Sequence, residues 1–409
     1  MLTRRTDCRL CHETKLELAL SLEPSALANE FVKDPTIKQQ AFPLDLFQCY
    51  SCGHYQLLDV IDPEVLFKHY NYVSSTSDLM RQHFRNYACS IATEYNFSEE
   101  DLVVDIGSND ACLLKWFQKL GAKVLGVDPA QNLAEKATSE GIPTINNFFN
   151  REVAKGIIEK QGKASIITAN NVFAHSDNLD EIVLGIKELL KDDGVFIFEC
   201  SYFMDVLKCG DFSQIYAEHV SYHTISPLWL FFKNHGMTLF KIEKQDIHGG
   251  SIRCFVSNKY DERLIDDALC FTDRENKAGI YNKKYDWSLT NKFVKKINEI
   301  KTELKKRLLQ LKAEGKSIAA VTASAKSTTF LHQCGLGPEI IDYICDDAKD
   351  KIGAFSPGLH IPVVPFSTIY EKSPDYLLIL SFNFIDSIIQ KHKEYKGKWI
   401  ITIPDYKEI

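Results

Sequence analysis

The sequence predicts an α/β protein with a small cysteine-rich N-terminal domain and two larger α/β domains. At 409 residues, the chain is too long for one ordinary hydrophobic core. Four of its twelve cysteines stand as two pairs near the N-terminus. Apolar strand patterns then alternate with helix patterns in two separate blocks, which is typical of parallel sheets covered by helices on both faces.

The two blocks are separated by a charged helix. Strands are predicted at LVVDIG, KVLGVD, SIITAN and VFIFEC in the first block, and at SIAAVTA, IIDYICDD, YLLILS and KWIITIPD in the second. The helices predicted around the first block cover Met80–Tyr95, Cys112–Leu120, Leu133–Ser139 and Leu179–Leu190. The charged helix, Asn291–Lys312, carries an apolar stripe at spacings of three and four and is interpreted as a connector. We therefore expect domains at residues 1–65, 66–250 and 251–409.

The composition is that of an ordinary soluble globular protein, with 45% hydrophobic and 25% charged residues. A net charge of −7 argues against binding to the backbone of a nucleic acid. No signal-peptide pattern and no run of about 18 apolar residues is visible, so we expect no membrane partner and a cytoplasmic location. The cysteines are then expected to be thiols or metal ligands rather than disulfides.

The two cysteine pairs predict a structural zinc site. Cys8 and Cys11 form one CxxC motif, and Cys49 and Cys52 form the other. Zn²⁺ prefers four thiolates in a tetrahedron, and each CxxC turn brings two sulfurs to one ion. His12 and His54 are alternative ligands, and four unrelated buried cysteines are the simpler alternative. Four protein ligands would leave no open position for catalysis.

A cofactor site is predicted where the first strand of the central block ends. Asp105, Gly107, Ser108, Asn109 and Asp110 form a strand end and a loop before a helix, and the next strand ends at Asp128, which is positioned to bind ribose hydroxyls. A dinucleotide needs a loop with several glycines near its pyrophosphate, whereas this loop has one. An acidic loop suits the cationic S-adenosylmethionine better. An ordinary βα turn is the alternative without function.

The polar cluster YAEHVSYH is chemically competent for proton transfer. Histidine titrates near neutrality, so His219 can serve as a base. Tyr216 can donate to an oxygen that develops negative charge, and Glu218 can orient an imidazole or accept from a hydroxyl. Solvated polar residues at a helix N-terminus would give the same pattern.

At this point the whole chain resembles a known family, the sugar C-methyltransferases that act on nucleotide-linked 4-keto deoxysugars. The resemblance lies in short motifs that share their order along the chain: the two CxxC pairs, YNYVSS at 70–75, DIGSND at 105–110, NNVFAH at 170–175, YAEH at 216–219, HGGSIR at 248–253, and Ala325-Lys326 with Asp347…Lys351. Two departures are Ala111, where the family usually has Gly, and a missing Gly near Lys326.

The resemblance implies a zinc-binding domain, a doubly wound S-adenosylmethionine-binding domain and a Rossmann-like C-terminal domain that holds a dTDP- or GDP-linked sugar. It implies methyl transfer, by way of an enolate, to the carbon next to the 4-keto group, most plausibly C3. Catalytic roles are expected for Tyr70, His175, Tyr216, Glu218 and His219. Cofactor contacts are expected from the loop residues above and from Pro129, Asn147, Phe148, Asn170 and Asn171. Substrate contacts are expected from Tyr72, Ser75, Tyr222, His248, Arg253, Lys326 and Lys351.

Three alternatives stay open from the sequence. An O- or N-methyltransferase would share the cofactor domain without needing the YAEH cluster beside a ketone. An RNA methyltransferase with a zinc ribbon would predict a basic face, which the net charge disfavours. A non-catalytic binding module would fail to bind S-adenosylmethionine. For single residues, core packing or surface exposure is the competing interpretation, notably for Phe148, Phe149, Tyr70 and Arg253.

Overall fold

A computed structural model describes residues 2–247, 249–259, 266–280 and 287–409 of the chain. Its strands are β1 (Leu2–Arg4), β2 (Leu16–Leu20), β3 (Leu46–Cys49), β4 (Tyr55–Leu57), β5 (Asp59–Ile61), β6 (Leu102–Ile106), β7 (Lys123–Val127), β8 (Thr144–Ile145), β9 (Ala164–Asn170), β10 (Leu190–Ser201), β11 (Ser221–Tyr222), β12 (Thr238–Gln245), β13 (Ser251–Ser257), β14 (Ile318–Val321), β15 (Ile344–Asp346), β16 (Val363–Pro365), β17 (Tyr376–Ile379), β18 (Lys398–Ile401) and β19 (Lys407–Glu408).

The helices in the described residues are α1 (Pro63–Phe67), α2 (Asp78–Tyr95), α3 (Cys112–Lys119), α4 (Gln131–Ser139), α5 (Arg151–Gln161), α6 (Leu179–Leu189), α7 (Phe203–Cys209), α8 (Ile225–Asn234), α9 (Asp266–Lys277), α10 (Ser288–Ala313), α11 (Ala325–Cys334), α12 (Thr368–Lys372) and α13 (Ile385–Lys391). None of those described is both long and apolar enough to cross a bilayer. The helices and strands predicted for both α/β blocks are confirmed, with ends that move by a few residues.

The N-terminal domain is a four-stranded sheet in the order β11-β4-β3-β2, with β1 and β5 paired beside it. Strand β11 comes from a part of the chain about 165 residues after β4, with Ser221 opposite Gln56 and Tyr222 opposite Tyr55. It directly follows the YAEH motif. The zinc domain and the predicted catalytic motif are therefore hydrogen-bonded into one sheet.

The central domain is a seven-stranded sheet in the order β12-β13-β10-β9-β6-β7-β8. Its strands are apolar on both sides, as expected for a sheet covered by helices; all five residues of β6 are buried. Strand order reverses between β6 and β9, which pair in parallel with Asp105 opposite Thr168. In open α/β sheets such a switch point opens a crevice at the carboxyl ends of the strands, where ligands bind.

The C-terminal domain is a second α/β sheet in the order β16-β15-β14-β17-β18-β19, parallel except for β19. The order is that of a Rossmann fold, and it reverses between β14 and β17. Helix α11 begins just beyond β14, so its N-terminus lies at this switch point. The expectation of a zinc domain, a doubly wound central domain and a Rossmann-like C-terminal domain is confirmed.

Strand β13 begins just after the domain boundary predicted at residue 250. Strand β13 pairs antiparallel with both β10 and β12, so residues 251–257 lie inside the central sheet. Helix α9 packs on α8 and β12 of the same domain. Sequence patterns place a strand in the chain but not in a sheet. The described residues of β13 and α9 pack with the central sheet, and the boundary at residue 250 stays a prediction.

Candidate active site

The four paired cysteines form one cluster. Their sulfur atoms all lie within 4.8 Å of one another, with Cys8 Sγ to Cys52 Sγ at 3.6 Å and Cys11 Sγ to Cys49 Sγ at 3.5 Å. Four thiolates at about 2.3 Å from a central Zn²⁺ would be roughly 3.8 Å apart, so the cluster fits a tetrahedral zinc ion. The two histidines do not join it: His12 pairs with Asp7 and Asp180, and His54 approaches Ser221 Oγ at 3.4 Å.

Arg9 connects the first CxxC turn, residues 8–11, called the zinc knuckle, to the rest of the molecule. Its side chain is fully buried. Its Nη1 donates to the carbonyls of Leu57 (2.5 Å) and Val220 (3.0 Å), and its Nε donates to Asp177 at 2.9 Å. Val220 follows His219, and Asp177 lies two residues after His175. A residue of the first CxxC motif thus contacts both segments that carry a predicted catalytic histidine, a role that no sequence pattern indicated.

The predicted cofactor loop lies beyond β6 at the switch point. Gly107 has φ +68°, and a Cβ atom built there would lie 2.5 Å from Val172 Cγ2, so this position requires glycine. Asn109 also has a left-handed backbone (φ +52°), and its N–H donates to Asp128 Oδ2 at 2.7 Å. The other carboxylate oxygen of Asp128 accepts from Ala130 N at 2.8 Å. Asp128 is therefore fixed at the loop, as a ribose-binding carboxylate needs to be.

Polar atoms without a protein partner gather at the same place. Within the described residues, no group hydrogen-bonds Ser108 Oγ, Asp110 Oδ1 or either side-chain polar atom of Asn170, although all are buried. Buried polar groups are normally satisfied, so these atoms fit a polar ligand. Burial also raises the pKa of Asp105 to about 7, although the hydrogen bond that Thr168 donates to this carboxyl acts in the opposite direction. A nearby cationic ligand would favour its charged form.

The remaining predicted cofactor residues border this loop. Asn171 has φ +57° and donates its N–H to Glu199 O, while Asn146, which the sequence did not single out, donates to the Pro129 carbonyl. Asn147 is exposed and Phe148 is half-buried, and their contact with the cofactor stays a prediction. Phe149 is buried in the main hydrophobic core. Core packing was the alternative interpretation of Phe148 and Phe149 in the sequence.

Ala111 is the N-cap of α3 and has φ +60°. An L-residue in the left-handed region costs about 1–2 kcal/mol relative to glycine. The net advantage of glycine is smaller, because glycine also gives the unfolded chain more conformational entropy. This backbone geometry explains why glycine is usual here. We expect Ala111→Gly to raise the free energy of unfolding by about 0.5–1 kcal/mol, measured by urea denaturation. An unchanged or lower value would show that the backbone relaxes differently at this position.

The segment 70–77 lies over the cofactor loop. The Tyr72 carbonyl accepts from Asn109 Nδ2 at 3.0 Å, Ser74 N donates to Asn109 Oδ1 at 2.9 Å, and Ser75 Oγ donates to the Asp110 carboxylate. Tyr70 is fixed by two backbone hydrogen bonds with Asn132. The aromatic and serine motif is thus brought to the cofactor loop, with Tyr72 largely exposed.

His219 lies at the centre of the YAEH motif. Its Nδ1 is 3.1 Å from the Gln214 carbonyl, and its Nε2 is 2.7 Å from the Tyr216 hydroxyl. A carbonyl only accepts, so Nδ1 carries the proton and Nε2 is left with a lone pair. This is the tautomer of a general base, with a tyrosine hydroxyl beside the basic nitrogen.

His175 stacks edge-on against His219, with ring centroids 4.8 Å apart. Its Nδ1 donates to the Glu218 carbonyl at 2.9 Å, and burial lowers its pKa to about 4. It is therefore neutral near pH 7 and does not oppose a positive charge on His219. The Glu218 side chain is 4% exposed, and burial raises its pKa to about 7. Asn29 Nδ2 donates to both carboxylate oxygens at 3.2 Å.

These groups adjoin the cofactor loop. Val172 contacts Gly107, and Val220 N donates to the Ala174 carbonyl at 2.8 Å. Loop 171–175 thus lies between the cofactor loop on one side and the YAEH motif on the other. Tyr222 is buried in β11, where its ring packs on Phe203 at 4.9 Å.

The predicted substrate residues differ in how the structure places them. Lys326 stands in the first turn of α11, and burial lowers the pKa of its amine. Lys351 donates to the Ala323 carbonyl at 2.9 Å, so both lysines lie at the C-terminal switch point. Helix α11 packs against the segment before YAEH, with Phe330 stacked on Phe212 at 5.4 Å.

Arg253 lies within the central sheet, on β13. Its side chain is buried, donates to Glu199 Oε1 at 2.7 Å and lies over the Tyr87 ring at 3.7 Å. Glu199 also pairs with His83 at 2.7 Å. The guanidinium takes part in this buried ion pair, and its contact with a substrate stays a prediction. His248, the other predicted residue of the HGGSIR motif, lies outside the described residues.

Three family profiles match the chain in the order of its domains: a zinc binding domain at residues 8–67, a methyltransferase domain at 81–241 and a C-methyltransferase C-terminal domain at 246–404. The C-methyltransferase NovU of Streptomyces niveus is 32% identical over 410 residues, which cover 98% of this chain and 96% of NovU.

Solved structures with similarity include an S-adenosylmethionine-dependent methyltransferase from Clostridium acetobutylicum (16% identity, 46% of this chain, 94% of that chain, TM-score 0.35) and magnesium protoporphyrin IX methyltransferase from Synechocystis (12% identity, 43% of this chain, 78% of that chain, TM-score 0.33). The full-length likeness to NovU and the three ordered profiles are decisive. The chain belongs to the family of S-adenosylmethionine-dependent C-methyltransferases that carry an N-terminal zinc-binding domain.

Proposed function

We propose that this C-methyltransferase transfers the methyl group to a sugar carbon, C3, next to the 4-keto group of a nucleotide-linked deoxysugar. The observation that carries the proposal is the tautomer of His219, whose basic Nε2 stands beside the Tyr216 hydroxyl. Loop 171–175 connects this motif to the cofactor loop. Carbon has no lone pair for attack, so the site needs a base and a donor for an enolate oxygen. His219 and Tyr216 supply that pair.

In the proposed mechanism, His219 Nε2 removes the proton from C3, and the electrons of the broken C–H bond move onto the ketone oxygen. Tyr216 turns its hydroxyl from His219 to the developing enolate oxygen. Bound S-adenosylmethionine supplies an electrophilic methyl group on a sulfonium. Neutral His175 leaves room for the imidazolium that forms on His219 and offers its Nε2 as an acceptor for a sugar hydroxyl. Glu218, as a carboxylate, is assigned to a second hydroxyl of the sugar.

The nucleotide is assigned to the C-terminal domain. Lys326 and Lys351 place two cations at its switch point, and α11 packs directly on the segment that leads into the YAEH motif. A substrate that spans both sites would put its diphosphate near the lysines and its sugar near His219. Tyr70, Tyr72 and Ser75 border the same space from the cofactor side and are assigned to the sugar as well.

Mass spectrometry tests this proposal. The purified enzyme is incubated with S-adenosylmethionine and a dTDP-linked 4-keto-6-deoxy sugar, with a GDP-linked analogue in parallel. A gain of one methylene unit on either sugar supports the proposal and identifies the nucleotide. No gain on either, with cofactor binding measured separately, would favour methyl transfer to the oxygen or nitrogen of another acceptor.

Asp128→Asn is expected to weaken S-adenosylmethionine binding by about 10- to 100-fold, because each lost hydrogen bond to a charged group is worth about 1.5–3 kcal/mol. The asparagine keeps one oxygen that can accept from one of the two backbone N–H groups that now bind Asp128. Calorimetric titration with the cofactor measures the effect. Asp192→Asn, which changes an exposed carboxylate at the start of β10, is the control. Equal affinity of the two variants would remove Asp128 from the cofactor site.

A further inference from the structure

Residues 21–45 connect β2 to β3 between the two CxxC pairs, and are called the inter-pair segment. This segment packs on the C-terminal domain. Gln333 exchanges two hydrogen bonds with the backbone of Glu23 (2.9 and 2.7 Å), and Val32 forms an antiparallel bridge with Phe355. Gly358 N donates to Gln39 Oε1 at 2.7 Å. A part of the zinc domain is thus bound along the domain to which the nucleotide is assigned.

Two consecutive residues of the segment connect that domain to the YAEH motif. The Ala28 carbonyl accepts from Thr328 Oγ1 of α11 at 3.0 Å. The next side chain, Asn29, donates to both oxygens of the buried Glu218 carboxylate. Thr328 lies two residues after Lys326. One peptide unit therefore separates a contact with the C-terminal switch point from a contact with the catalytic cluster.

Predicted catalytic residues surround Glu218, so its contact with Asn29 can affect the catalytic cluster. Burial raises the pKa of the Tyr70 and Tyr216 hydroxyls, and the charge of Glu218 acts in the same direction. His175 donates to the main-chain carbonyl of Glu218. In the described part of the chain, Asn29 is the side chain that donates hydrogen bonds to the carboxylate. An amide N–H stabilises the charged form of a carboxyl, and its loss favours the protonated form.

We propose that Asn29 is a positioning residue that keeps Glu218 ionised and oriented. Because the inter-pair segment is bound to the C-terminal domain, the position of Asn29 depends on the docking of that domain. The proposal rests on the proposed function, because it takes Glu218 as part of the substrate site. It explains why the loop between the cysteine pairs is longer than zinc binding requires.

The test compares Asn29→Asp and Asn29→Ala with wild-type enzyme in the full chain. Asn29→Asp keeps the shape but sets a second carboxyl about 3 Å from the first, and two carboxyls at this distance share a proton. If Glu218 acts as a carboxylate, the acid limb of kcat/KM should move to higher pH in both variants, most in Asn29→Asp. We expect kcat to fall about 10- to 100-fold, with S-adenosylmethionine affinity and zinc content unchanged.

Gln40→Glu adds the same charge at an exposed position of the segment and should match wild type throughout. A purely structural role would change thermal stability without moving the pH profile, and superimposable profiles would overturn the proposal.

A second readout needs no substrate. A carboxyl with a raised folded-state pKa binds its proton more tightly when folded, so stability falls as pH rises from the unfolded toward the folded pKa. Between pH 5 and 8 the melting temperature of Asn29→Asp should fall more steeply than that of wild type and Gln40→Glu. Equal slopes would contradict the contact itself. Wild-type enzyme that methylates no keto sugar would instead contradict the proposed function, so the two failures are distinguishable.

Discussion

Replacing His219 by asparagine is expected to lower kcat by about 10³-fold, within the range that a positioned general base contributes. Asparagine retains hydrogen-bonding capacity toward the Gln214 carbonyl and the Tyr216 hydroxyl but has no basic nitrogen. The cofactor loop is not touched, so S-adenosylmethionine affinity should stay within about twofold. The measurement is steady-state turnover, together with calorimetric titration of the cofactor.

The matched control is His235→Asn, at the C-terminal end of α8, where the histidine pairs with Asp180. It should keep normal kcat. Because the base acts before methyl transfer, His219→Asn should also lose exchange of the C3 hydrogen with deuterated solvent. Turnover close to wild type in His219→Asn would mean that another group removes the proton, with Glu218 the next candidate.

Removing a zinc ligand is the second change with a large expected effect. Cys49→Ser leaves three thiolates, and structural zinc in small domains contributes folding free energy on the order of 10 kcal/mol. The zinc knuckle positions Arg9, which donates to the Val220 carbonyl and to Asp177. In addition, β4 of the zinc domain pairs with β11, which follows the YAEH motif. We therefore expect zinc content to fall from one ion per chain toward zero and methyl transfer to fall more than 100-fold.

The cofactor loop belongs to a different sheet, so Cys49→Ser should retain measurable S-adenosylmethionine binding. Cys89→Ser changes an exposed cysteine on α2 and should keep both zinc and activity. Metal analysis, cofactor titration and turnover on the same preparations separate the effects. Full activity in Cys49→Ser after zinc loss would show that the knuckle does not position the catalytic segments.

The sequence predicted the architecture because its signals are local. Buried parallel strands such as β6 are continuous apolar runs, and the spacing of two CxxC motifs by itself indicates a zinc site. Pairing between distant segments has no such signal. Strand β11 has two residues, and the sequence of β13 does not indicate that this strand pairs with the central sheet.

The same limit applies to single side chains. Arg253 in the sequence is a guanidinium after a glycine turn, and only the folded sheet brings Glu199 opposite it. Asn29 stands in no motif, and Arg9 occupies a variable position of the first CxxC motif, yet each donates to a segment more than 150 residues away along the chain. By contrast, Gly107 and Asp128 were predictable because a βα turn and the end of the next strand meet at a fixed edge of the sheet.

The most direct test of the central claim is the site of the transferred methyl group. The enzyme is given S-adenosylmethionine labelled with ¹³C in its methyl group and a uniformly ¹³C-labelled nucleotide-linked 4-keto deoxysugar, and the product is examined by NMR. We predict a one-bond carbon–carbon coupling between the new methyl group and the ring carbon adjacent to the ketone. A methyl signal without any one-bond carbon coupling would place the methyl on oxygen or nitrogen and contradict the account.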